Sequence, residues 1–347
     1  MQGPLRNPSP WQSPADTGYW EGEQCASLRL AGLRSVNGYL IQDIALETQK
    51  TLSRGLRQEA SKMQRDADGN RMRPMPMPLR SAGTRPPRIE GKAYGASSLF
   101  TPENLLREAR RQKNLCFKAV PAICVLDPDG DIVRHLVTIG RAQPEPAWPC
   151  YHTELHVFQH EGQQVGIVGC AVGAPFAVLV AEELFASGCE LLISITSAGE
   201  IVGGPKPPYF VLIDRALRDE GTSYHYRPPA AFSRADLLLI QRVHDGLRRQ
   251  GPPVIRGATW TTDAPFRETR SAIRAARAQG AIAVEMEAAA LYAFAQKRHR
   301  AVVCFAHVTN RMATGEGDFE KGAAGGAHAA LRLISNTVRA WRSADKR

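Results

Sequence analysis

Two carboxylates separated by one methionine, Glu285, Met286 and Glu287, precede an alanine-rich apolar run at 288–295. Such a run favours helix and burial, so charge at its mouth must be solvated or held for a polar ligand. Unpaired N–H groups and the dipole at a helix start stabilise an ionised carboxylate and make it a fixed acceptor. A ribose cis-diol is a donor suited to it. Small-residue segments offer backbone N–H groups to a ligand, at Gly169 to Pro175 and at Thr196, Ser197, Ala198, Gly199 and Glu200. The loop at 218–229 crowds Tyr, His225, Arg and acids together, and is costly to order without a ligand. Phe266 and Arg267, between a strand and a helix, suit the edge of a planar heterocycle.

The elements that must carry these groups read as alternating strands and helices from Thr101 onward. Thr101 and Pro102 start a helix as cap and first-turn proline. Residues 122–126 form a buried strand ending in the acidic turn Asp127, Pro128, Asp129, Gly130 and Asp131. Strands at 156–159 and 164–169 make a hairpin about Glu161 and Gly162. Further strands are expected at 191–195, 209–213, 254–259 and 301–307, and helices at 175–187, 235–250, 269–279 and 324–341, besides the one opened by the two glutamates. Continuous apolar strands between helices define an α/β domain with ligands at the carboxyl ends of the strands.

The net charge of +10 is not evidence for nucleic acid, because 14 Lys/Arg against 9 Asp/Glu, half of the excess, lie before residue 96. Residues 1–95 are rich in Pro, Arg, Gln and Ser, with one weakly helical patch at 36–63, and read as a mostly disordered basic extension. Seven cysteines without C-x-x-C spacing fit free thiols in a reducing cytoplasm. The most apolar run, 165–185, is broken by Gly169, Gly173 and Pro175, so no membrane span is expected. His152, His156 and His160 lie four apart on a strand without a fourth ligand, and no metal is expected.

In their order, the segments Gly173-Ala-Pro with Glu182-Glu-Leu, Arg218-Asp-Glu-Gly-Thr-Ser-Tyr-His-Tyr, Thr261-Thr-Asp-Ala and Val284-Glu-Met-Glu-Ala-Ala-Ala-Leu resemble the purine nucleoside phosphorylase and uridine phosphorylase family. The resemblance covers about 120–340, within a domain at 100–345. It implies a single domain with a twisted mixed sheet flanked by helices, no cofactor, a nucleoside as partner, and a homo-oligomer, dimer or hexamer, whose sites share side chains. It makes Glu287 the grip on the ribose 2′- and 3′-hydroxyls, Met286 the residue beneath the sugar, and Phe266 with Arg267 the base-reading loop. Asn310 stands where the purine branch has an aspartate, and with Arg311 gives a pattern closer to uridine phosphorylases. Neither group is a general acid at neutral pH.

The resemblance weakens at the phosphate site. Positions that carry the family's glycine and arginines hold Leu126, Gly130, Ser194 and Tyr151 here, with Ser197 and backbone N–H groups left over. A phosphate co-substrate lacking a guanidinium would be poorly compensated. Either arginines such as Arg134 or Arg141 hold it, or water replaces it with Asp129 or Asp131 as general base. N-glycosidic cleavage is therefore expected with the acceptor open. Hydrolytic nucleosidase activity and a non-catalytic nucleoside sensor or scaffold are the alternatives.

Overall fold

The structure, a computed structural model, describes residues 92–250, 254–312 and 318–343, all within one unit at 85–347. The extension at 1–95, with its patch at 36–63, lies outside the described residues except for 92–95.

Strand β1 (Ile123–Asp127) is buried along its whole length and pairs in parallel with β4 (Gln163–Gly169) and β5 (Leu191–Glu200). Its unbroken apolar character follows from helices covering both faces of the sheet. Strand β10 (Ala301–Asn310) runs parallel to β5, from Ala301 beside Leu191 to Asn310 beside Gly199. Its other edge meets β6 (Tyr209–Asp219) antiparallel. Strand β6 continues in parallel to β8 (Val254–Thr262), and β8 to β9 (Ala281–Glu285). The short β9 returns to β5 through Val284 beside Gly199 and Ala283 beside Glu200. Five strands thus close on themselves, while β4, β3 (Leu155–His160) and β2 (Ala142–Pro144) extend the sheet beyond β1. The fold is the expected α/β one, a twisted mixed sheet flanked by helices.

Closure is what assembles a site. The carboxyl ends of β1, β5, β8, β9 and β10 meet at one mouth of the barrel, so segments far apart in sequence become neighbours. Helix α3 (Ala174–Ala186) follows β4, the short α4 (Ser223–Tyr226) follows β6, α6 (Arg270–Ala278) follows β8, and α7 (Ala288–Arg298) follows β9. Helix α8 (Ala327–Arg342) closes the chain against α5 (Leu237–Gln250). The acidic turn after β1 runs into α2 (Asp131–Thr138), which the sequence reading lacked: Asp131 is its first residue, behind Gly130 at φ +73°. Likewise β5 continues through Ser197, Ala198 and Gly199 instead of turning there, because β9 and β10 supply ladder partners on both sides. Helix α1 (Pro102–Lys113) starts as expected, with the Thr101 hydroxyl accepting the Asn104 N–H.

Tyr292 ties α7 to the barrel. Its fully buried hydroxyl donates to the Ile213 carbonyl at 2.6 Å and accepts the Cys304 N–H at 3.0 Å. Tyr292→Phe leaves two buried backbone groups unpaired, which costs about 1–3 kcal/mol each when nothing replaces the partner. Denaturant titration should show a lower midpoint with unchanged slope. An unchanged midpoint would mean that packing alone fixes α7.

Candidate functional site

The chain bends between β9 and α7, and two carboxylates hold opposite sides of the bend. Glu285 is the last residue of β9, not the mouth of a helix. Its Oε1 accepts from the Thr259 hydroxyl at 3.0 Å and from Thr261, and its Oε2 accepts the Glu287 and Ala288 N–H groups at 2.7 Å each. Thr261 in turn accepts the Ala289 N–H at 3.0 Å. Glu285 therefore serves as a fixed cap on α7, with all its acceptor capacity used inside the protein. Burial still pushes its carboxyl above the usual range, against the pull of those four donors.

Glu287 occupies the N-cap position of α7 and is 1% exposed. Its Oε1 accepts the Gly173 N–H at 2.7 Å, from the loop between β4 and α3. Its Oε2 has no hydrogen-bond partner among the described residues. Burial first, and then the charge of Glu285, raise its carboxyl to about 8, with Gly173 and Thr196 working in the other direction. A buried carboxylate oxygen left alone costs free energy that a hydroxyl donor would recover. Glu183 is similarly buried and unpartnered, but it lies on α3 beside Cys150 and His152, away from the strand ends.

A second cluster sits at the ends of β1 and β5. Asp129 accepts a hydrogen bond from the Ser197 hydroxyl, and Lys321 bridges Asp129 at 3.2 Å and Asp131 at 2.5 Å. Arg134 pairs with Asp131 at 2.6 Å and donates to the Asp129 carbonyl. Burial pulls Lys321 down, but the two aspartates more than offset it and hold it above the ordinary lysine range. Lys321 and Arg134 together overcome the burial of Asp131 and lower its carboxyl. His307, stacked on Phe210 with ring centroids 4.4 Å apart, is lowered to about 4 by burial and by Lys321, so it stays neutral. Asp127 points inward to the Val133 N–H and is raised to about 7, mainly by burial.

The residues singled out by sequence fall into two groups, one at the strand ends and one on exposed loops. Ser197 meets the acidic turn at Asp129, Glu287 lies by Thr196 of the same strand, and Asn310 opposes Gly199 while its Oδ1 accepts the Met312 N–H at 2.9 Å. Half-buried Met286 lies between the two glutamates. Arg311 is beside them, paired with buried Glu200 at 2.9 Å. His225, by contrast, is exposed next to Lys92, and Phe266 is 99% exposed on the short turn Pro265–Arg267 that also carries Arg267. The Asp263 carboxylate, accepting the Gly221 N–H at 2.9 Å, ties that turn to the 218–229 loop. That loop is ordered from within, since Arg218 donates to Ser223, Arg227 and Pro228 and stacks over Tyr224.

Arg134 explains one feature of the weakened phosphate pattern. At Gly130 an added side chain would collide with the Arg134 guanidinium, which fills that space from one turn along α2. Arg141 instead donates to the Gln159 carbonyl on the hairpin. His160 contacts Ser335 at 2.6 Å, and no three potential metal-ligating side chains converge among the described residues. Lys321, Thr259, Thr261 and the Gly173 N–H were not singled out from sequence. Gly173 and Thr261 stood in quoted motifs, whereas Lys321 belongs to a loop whose partners are set by the end of β10.

The sequence model of the Phosphorylase superfamily matches residues 122–339, and the chain belongs to this family. The DeoD-type purine nucleoside phosphorylases of Colwellia psychrerythraea and Bacillus subtilis are each 28% identical over 159 residues, spanning 45% of this chain and 68% of each relative. The purine nucleoside phosphorylase of Toxoplasma gondii in complex with immucillin-H superposes with a TM-score of 0.55 at 16% identity, covering 65% of this chain and 93% of that one. Uridine phosphorylase from Vibrio fischeri superposes with 0.56 at 19%, covering 65% and 95%. The chain is thus an enzyme of a family that cleaves N-glycosidic bonds. No described helix is long and apolar enough to cross a membrane.

An acid whose pKa is higher in the folded than in the unfolded chain binds its proton more tightly when folded, so stability falls as pH climbs through that interval. For Glu287 the interval runs from the ordinary carboxylate range to about 8. Unliganded protein should lose stability relative to Glu287→Gln between pH 5 and pH 8, measured by denaturant unfolding at each pH. Parallel profiles for the two proteins would contradict the buried, partner-poor setting.

Proposed function

We propose that the chain cleaves the N-glycosidic bond of a nucleoside, with the ribose hydroxyls on Glu287 and water as the acceptor. The observation that carries the reading is the Glu287 oxygen without a protein donor, next to the Gly173 loop and Thr196. Two sugar hydroxyls would supply the missing donors and ionise the carboxylate. The anion then faces the positive charge that develops on the sugar as the bond to the base breaks. Because Oε2 is covered in the free chain, sugar entry requires the groups around it to part.

Support for water comes from charge. A phosphate dianion beside Ser197 would meet Asp129 and Asp131, and the nearest cations, Lys321 and Arg134, are already engaged by those carboxylates. A water molecule there gains an acceptor for its proton, and Asp129, in contact with Ser197, is the carboxylate in our scheme. Phosphorolysis is the second reading, favoured by the same Lys321 and Arg134 if they release the aspartates for phosphate, and by relatives named as phosphorylases. At the other end of the bond, Asn310 and Arg311 offer hydrogen bonds but no proton to the departing base. Bases that leave readily as anions, of the uracil kind, are therefore the favoured substrates in this proposal. Assembly as a dimer or hexamer, with exposed Phe266 and Arg267 turned toward a neighbouring copy, and a cytoplasmic location belong to the same reading.

The test is a nucleoside panel assayed with and without inorganic phosphate, reading free ribose against ribose 1-phosphate. Our reading expects free ribose at equal rates in both, and a fall of about 10²–10³-fold in kcat for Glu287→Gln. Strict phosphate dependence transfers the site to phosphorolysis. Tight nucleoside binding without any product, lost in Glu287→Gln, would make the chain a sensor instead.

A further inference from the structure

Helix α7 joins two different places. Its first turn carries Glu287, and its last turn borders a groove of about 620 Å³ formed with the start of β10, the segment after β7 (Phe232–Arg234), and helices α5 and α8. Eleven residues of helix separate the two by roughly 16 Å. Four arginines line the groove, Arg227, Arg234, Arg242 and Arg300. Among the described residues none of the four takes part in an ion pair. The one acid in the lining, Asp236, has its Oδ1 on the Leu239 N–H at 2.8 Å, as an N-terminal cap of α5.

Gln296, His299 and apolar side chains complete the lining, with Leu239 buried and Trp341 half-buried. Four guanidiniums against one carboxylate give the groove a surplus of positive charge that nothing described in the chain neutralises. Guanidinium forks match phosphate oxygens bidentately, and an indole offers a flat surface for a planar ring. The volume falls in the range of small-molecule sites. We propose that this groove binds a small polyphosphorylated ligand with a planar head, of the nucleoside di- or triphosphate type. The site is separate from that of the uncharged nucleoside. Its lining is the same whichever reaction the barrel mouth performs.

The experiment is calorimetric titration of the full chain with ATP, and with inorganic pyrophosphate as the head-less probe, at two salt concentrations. We expect saturable ATP binding that weakens with salt, and weaker binding of pyrophosphate. Arg234→Glu combined with Arg242→Glu should reduce ATP affinity by 10-fold or more. Both side chains are exposed, and an unchanged unfolding midpoint will confirm that the double variant is folded. Glu287→Gln, at the far end of α7, should bind ATP as the unaltered protein does. Loss of ATP binding in Glu287→Gln but not in the double variant would place the nucleotide at the barrel mouth and overturn the proposal. So would equal affinity in the double variant, absence of saturation, or a short RNA that binds the groove and is not displaced by ATP.

Discussion

Everything at the barrel mouth depends on the burial of two adjacent carboxylates with unequal shares of donors. Glu285 receives four, from two threonine hydroxyls and two backbone N–H groups, and so fixes the bend that turns β9 into α7. Glu287 receives one N–H on one oxygen and none on the other. The first carboxylate makes the geometry rigid, and that rigidity prevents the second from relaxing into solvent. The cost of a buried, under-donated oxygen is consequently retained in the free protein, where a hydroxyl-bearing ligand can offset it. An apolar helix such as α7 would otherwise gain nothing from acids at its start.

The second cluster shows the same economy with opposite signs. Asp129 and Asp131 could not lie together beside Ser197 without Lys321 and Arg134 to balance them. Lys321 comes from the segment after β10, and its Nζ reaches across 190 positions of sequence to the turn after β1. Gly326, at φ +85° and tight against His307, lets that segment turn back into α8. Closure of the β5, β10, β6, β8 and β9 barrel is what permits these long-range contacts.

Much of this was legible in the sequence, for identifiable reasons. Unbroken apolar strands such as β1 and the central part of β5 announced a sheet covered on both faces. The ends of elements were harder to read. Ser197, Ala198 and Gly199 carry small residues typical of a turn, yet they stay in β5 because β9 and β10 pair with them. Glu285 and Glu287 looked equivalent by composition. Only the position of Thr259 and Thr261 on the neighbouring strand separates the capping carboxylate from the under-donated one, and cross-strand register is invisible in one sequence. The dense loop at 218–229 owes its order to Arg218, whose hydrogen bonds to Ser223, Arg227 and Pro228 composition alone does not show.

The decisive measurement is the proton balance of nucleoside binding. At pH 7 free Glu287, with its carboxyl raised to about 8, holds its proton, and sugar hydroxyls donating to it favour the ionised form. Titrating a non-cleavable nucleoside analogue by calorimetry in two buffers of different ionisation heat counts the protons exchanged. The account predicts proton release on binding, absent in Glu287→Gln. Binding of equal strength with no proton exchanged, in both proteins, would contradict it.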